Sequence, residues 1–75
     1  MWILYRNMQV VVIRTGNVSK VAGELVGVTN GRVTIRKTKC IKGSYSPYDT
    51  TVWFTDNIVA ICHSWEDAYS KYGDR

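Results

Sequence analysis

Apolar residues along this chain gather in short runs separated by turn chemistry. Gln9–Arg14 (QVVVIR) is dense in β-branched residues and is closed by Thr15-Gly16-Asn17, which reads as a strand and a turn. Val21–Val28 (VAGELVGV) is a second strand, and its interior Gly23 and Gly27 mark bulges or strong bending. Asn30-Gly31 follows between two β-like runs; both positions tolerate positive φ, which is the strongest short hairpin signal. Arg32–Lys37 (RVTIRK) alternates, with Val33 and Ile35 on one face and Arg32, Thr34 and Arg36 on the other. Lys39–Asp49 (KCIKGSYSPYD), with Gly43, two serines and Pro47, reads as a loop or as fraying strand ends. Thr50–Thr55 resumes the β pattern, Asp56-Asn57 turns the chain, and Ile58–Cys62 (IVAIC) is a short buried strand.

The pattern then changes period. Ser64 followed by Asp67 has capping-box form, and Trp65, Ala68, Tyr69 and Tyr72 fall at i, i+3, i+4 and i+7 before a stop at Gly73. Two turns of helix are marginal alone in water, so this stripe needs a surface, on its own subunit or a neighbour. The expected fold is all-β: a small five-stranded, strongly bent antiparallel sheet or open barrel with a short C-terminal helix. Residues 1–75 form a single domain, with a core over about 9–62 and a helical tail over about 65–72.

Length adds a constraint. A chain of 75 residues buries only roughly 60% of the surface it exposes when unfolded, so it needs support from disulfides, a metal or copies of itself. Cys40 and Cys62 provide no disulfide framework, and with the lone His63 they close no structural zinc site; Cys62, ending an apolar run, reads as core packing. Arg6 and Asn7 interrupt the apolar start, so neither a signal peptide nor a membrane span is expected, and a reducing cytoplasm follows as the compartment. Self-association is the support that remains.

Charge is divided along the chain. Residues 1–48 carry eight basic residues against Glu24 alone (+7), and residues 49–75 carry two against five acids (−3). Half of the ten basic residues lie between Arg32 and Lys42, a concentration that attracts polyanions or simply keeps a loop solvated.

The residues themselves resemble the Sm-like superfamily of Sm, LSm and Hfq proteins. Val10, Val12, Gly16, Gly23 and Leu25 fit its first motif, and Trp53–Ile61, above all Asp56–Ile61 (DNIVAI), echo the second, together covering about residues 9–62. The resemblance implies a bent five-stranded sheet whose fourth and fifth strands pair with neighbouring subunits. Exposed Val52 or Ile58 would be buried in the resulting cyclic homo-oligomer of about five to seven subunits. It also implies a single-stranded RNA site in the loops after the second and fourth strands, where Thr29–Arg32 would meet Phe54–Asn57. Phe54-Thr55 stands where the family has Arg-Gly, a divergence that suits a phage or bacterial member, acting in the host cytoplasm if phage-encoded.

The candidate RNA-binding residues are therefore Asn30, Arg32, Phe54, Thr55 and Asn57 in the turn loops, with Arg36, Lys37 and Lys39 from the basic segment. Asn30 offers a donor and an acceptor to a base edge, Arg32 a phosphate contact or a stacking plane, and Phe54 a stacking platform; the plainer roles are turn formation for Asn30 and core packing for Phe54. Tyr45 and Tyr48 follow the basic segment as further rings. With one histidine, no Ser-His-Asp spacing, no glycine-rich phosphate loop and no metal cluster in the pattern, neither enzyme activity nor a cofactor is expected. The expected function is an RNA-binding ring, an RNA chaperone or regulator of RNA pairing. The competing expectations are a structural or protein-interaction ring without RNA binding, and a monomeric SH3-like binding module.

Overall fold

A computed structural model describes residues 8–74 of the chain. Arg6 and Asn7, used above to argue against a signal peptide, lie outside the described residues. Five strands form one antiparallel sheet: β1 (Val10–Arg14), β2 (Lys20–Thr29), β3 (Arg32–Lys42), β4 (Thr51–Phe54) and β5 (Ile58–Cys62), in the order β4-β3-β2-β1-β5. A 3-10 turn, Thr55–Asn57, joins β4 to β5, and α1 (Trp65–Tyr72) ends the fold. The fold is thus all-β with one short helix.

That 3-10 turn dictates the curvature. In a flat sheet the two edges, β4 and β5, would stand about 19 Å apart, four spacings of about 4.8 Å. The four residue steps from Phe54 to Ile58 span at most about 14 Å even when extended, and less through a 3-10 turn. The sheet therefore curls until its opposite edges approach at one end, yet β4 and β5 do not pair and the barrel stays open.

Irregularities in the long hairpin produce this curl. Between β2 and β3 the register shifts three times, at Lys20/Val21, Ala22/Glu24 and Leu25/Gly27. An extra residue bends its strand and raises the local twist. At the middle shift Lys37 takes φ 55 and lies across from Gly23, where a Cβ would stand 2.8 Å from the Arg36 carbonyl oxygen. Only glycine allows the two backbones to approach so closely.

Two apolar clusters lie on opposite faces of the sheet. Val11, Ile13, Val21, Val33 and Ile35 fill the concave side, with Leu25, Cys40, Trp53 and Ile58 packed against them. Val10, Val12, Ala22, Ile41 and Cys62 form the other, which α1 covers with Ala68, Trp65, Tyr69 and Tyr72. β1 contributes to both clusters, and Val10 through Ile13 are fully buried. Fully burying such a side chain stabilises by about 1.5–3 kcal/mol, which makes β1 the axis of the fold.

The helix is fixed at both ends. The Ser64 Oγ accepts from the Asp67 N–H at 3.1 Å, and the Gly73 N–H donates to the Tyr69 carbonyl at 2.9 Å. The next residue, Asp74, donates its N–H to the Ile41 carbonyl at 2.6 Å and pins the tail to β3. Lys39 reaches over the Trp65 ring, its Nζ 5.9 Å from the centroid, a cation–π contact between sheet and helix. The stripe predicted from sequence thus packs on its own subunit.

Several details differ from expectation. Lys39–Lys42, read as a loop or a fraying strand end, continue β3 as regular strand, because the bulge at Lys37 resets the alternation and lets Cys40 and Ile41 pack on opposite faces. Thr38 is buried beside the bulge; its N–H and Oγ1 both bond the Asp49 carbonyl, at 2.9 and 3.0 Å, so the loop is folded back onto β3. Thr55 belongs to the 3-10 turn rather than to β4; Ile58, expected to be exposed, packs into the concave cluster while Val52 stays 56% exposed; and β5, read as a buried strand, leaves Val59 and Ile61 exposed because it is an edge of the sheet.

Candidate nucleic-acid interface

The turn between β2 and β3 is made by Asn30 (φ 53) and Gly31 (φ 75), the paired positive angles of a tight hairpin turn whose twist matches its strands. The Thr55 N–H donates to the Gly31 carbonyl at 2.9 Å, which ties the 3-10 turn to this hairpin. Asn57 donates its side-chain N–H to the Arg14 carbonyl at 3.0 Å and ties the same turn to β1. Asn30, Arg32, Phe54, Thr55 and Asn57, scattered over 28 positions of sequence, are therefore gathered at one end of the curled sheet.

Arg32 and Phe54 are cross-strand partners in the β3–β4 ladder. The guanidinium carbon of Arg32 lies 5.5 Å from the Phe54 ring centroid, within cation–π range, and Phe54 is 60% exposed rather than part of the core. The two border an open concavity of about 310 Å³ whose wall also includes Val52, Trp53 and Asn57. Trp53 is held in place: its Nε1–H donates to the Thr51 Oγ1 at 2.7 Å, which lies 3.0 Å from the Thr38 Oγ1, and Tyr45 packs tilted against its indole at 6.1 Å. Asn57 keeps its amide oxygen and a second N–H for a ligand. An aromatic face, a guanidinium and an amide around one hollow suit a planar, hydrogen-bonding, anionic ligand.

The basic segment is less uniform than its sequence suggests. Glu24 accepts from Arg36 at 3.3 Å and stands 3.7 Å from the Lys37 Nζ, so one half-buried carboxylate is shared by both cations and cancels one of their two charges. Lys39 is engaged with Trp65. Arg36, Lys37 and Lys39 thus lie along β3 away from the concavity, and only Arg32 of the segment joins it. Sequence reasoning missed Val52 and Trp53 as its walls, although their alternation with Thr51 and Phe54 would have placed one on each face of β4.

Both free edges of the sheet carry exposed apolar side chains at alternate positions: Val52 and Phe54 on β4, and Val59 and Ile61 on β5. Among the described residues no cluster of three metal-ligating side chains occurs, and no helix is long and apolar enough to cross a membrane. Burial pushes the Cys62 thiol above its usual range, with Asp67 adding to the rise and Lys71 opposing it. No family model, curated protein or solved structure matches this chain. The protein is a small open five-stranded antiparallel sheet capped by one helix.

Proposed function

We propose that the chain is the subunit of a homo-oligomeric ring that binds single-stranded RNA, as an RNA chaperone or a regulator of RNA pairing. The observation that carries the RNA reading is the Arg32–Phe54 pair on the rim of the concavity, with Asn57 beside it. A base stacks on the exposed ring, its edge reaches the Asn57 amide, and Arg32 neutralises an adjoining phosphate. Asp56, exposed in the same turn, repels phosphate and keeps the affinity modest.

The ring reading rests on the edges. An unpaired strand edge invites a partner strand, and Val52 on β4 with Val59 and Ile61 on β5 gain burial when β4 of one copy meets β5 of the next. Such a head-to-tail contact closes into a ring when its rotation allows, here with about five to seven subunits. The second reading is a protein-interaction ring without RNA, favoured by those same apolar edges, which need only protein to cover them, and by Phe54-Thr55 where the resembled family has Arg-Gly.

Mass measurement by light scattering at micromolar concentration, with and without a short U-rich RNA, tests both parts. The expected result is a multiple of the subunit mass that increases by the RNA mass; a monomer mass refutes the ring. Phe54→Ala is expected to weaken RNA binding by about 1–3 kcal/mol, roughly 5- to 150-fold, the usual value of one base stacked on one ring. An assembled ring that binds no RNA leaves the protein-interaction reading.

A further inference from the structure

We infer that a row of three cations, Arg14, Lys20 and Lys42, forms a phosphate-binding track that leads away from the concavity. This inference rests on the RNA reading above. Lys20 pairs with Arg14 across β1–β2 and with Lys42 across β2–β3, so the three stand side by side on three adjacent strands. The register shift between Lys20 and Val21 brings Lys42 level with Lys20; without it, Lys42 would fall one rung farther along.

Like charges directly opposite one another in a sheet are destabilising. A structural role would call for an acid among them. The ion pairs among the described residues are the two made by Glu24, and they go to Arg36 and Lys37. Asp74 reaches this corner through its backbone bond to Ile41, but its carboxylate pairs with none of the three. Among the described residues, then, no acid stands within ion-pair distance of the row. Arg14 and Lys42 are exposed and Lys20 half-exposed, and Arg14 lies two positions beyond Val12, the last residue of its strand that α1 covers.

Position links this row to the concavity. Asn57 lines the hollow and donates to the Arg14 carbonyl at 3.0 Å. From that rim, Arg14, Lys20 and Lys42 follow at inter-strand spacings of about 4.8 Å, a span of about 10 Å that suits successive phosphates of a flexible single strand. A strand whose base sits on Phe54 passes Asn57 and lays its backbone along the row. Phosphate contacts of this kind position a strand and supply affinity without reading its sequence.

The test is fluorescence anisotropy with an end-labelled U-rich 12-nucleotide RNA over a salt series, comparing wild type with Arg14→Gln/Lys20→Gln/Lys42→Gln and with Arg36→Gln/Lys37→Gln. Loss of three contacts to a single strand is expected to lower the slope of log affinity against log salt by about 2, at roughly 0.7 per phosphate. The Arg36/Lys37 variant, where Glu24 already cancels one of the two charges, is expected to change the slope by less than half as much. Relief of like-charge repulsion predicts a thermal midpoint for the triple variant at or above that of wild type, which separates lost contacts from lost folding. A wild type that binds RNA with salt dependence while the triple variant keeps the same slope overturns the track, as would a row that serves an acidic protein surface. A wild type that binds no RNA overturns the parent reading and the track with it.

Discussion

β1 and the two edge strands follow the same chemical rule with opposite outcomes. β1 is apolar at four consecutive positions because both its faces are covered, one by the concave cluster and one by α1. β4 and β5 have one covered face each, so their residues alternate between half-buried and exposed. On an ordinary solvated edge the exposed positions would be polar or charged. Here they are Val52, Phe54, Val59 and Ile61, so the interior of this subunit is finished while its edges are not.

The largest expected effect separates interior from edge directly. Ile13→Ala removes a fully buried side chain and is expected to cost about 2–5 kcal/mol of unfolding free energy. Ile61→Ala, at 51% exposure, is expected to cost about 1 kcal/mol when measured dilute enough for subunits to be separate. Denaturant titration of both variants checks the contrast, and equal losses would break it. Ile61→Asp sharpens it further: the fold is expected to survive while the oligomer mass falls to that of the monomer.

Next in size is the cover over the outer face of β1. Ser64→Ala removes the side-chain cap of α1 and is expected to cost about 0.5–2 kcal/mol in thermal or denaturant unfolding, leaving RNA affinity unchanged because the helix lies away from the concavity. A loss of RNA binding alone would show that α1 takes part in the site.

The smallest effect concerns Cys62, beneath that helix. Its folded pKa is raised by burial, so the neutral thiol contributes stability that is fully present below the pKa of the unfolded chain, about 8.5, and is lost as pH rises through the folded value. Stability of wild type relative to Cys62→Ala is therefore expected to be flat through neutral pH and to decline in the alkaline range. Alkylation by iodoacetamide at pH 8 is expected to be slower at Cys62 than at the half-exposed Cys40.

Much of this was legible in one dimension. The runs QVVVIR and IVAIC, the Asn30-Gly31 turn, the bending glycines and the Ser64 cap depend on neighbours a few positions apart, so local pattern exposes them. β3 beyond Lys37 was not legible, because a bulge that admits positive φ at a lysine depends on Gly23 across the sheet. The concavity was half legible: its turn residues were named from the resemblance, while Val52 and Trp53 were not.

Charge shows the boundary most clearly. Sequence alone is enough for five strands, a capped helix and a basic front half, since each is a matter of period, turn chemistry or composition. It also concentrated attention on Arg32–Lys42, where the cations are densest in sequence. Which cations stand beside an acid was left to the fold, because strand register places Glu24 beside Arg36 and Lys37, 12 and 13 positions away, and lines up Arg14, Lys20 and Lys42, which make no ion pair among the described residues. Coulombic pairing depends on distance through space, and in a curled sheet that distance is set by the bulges.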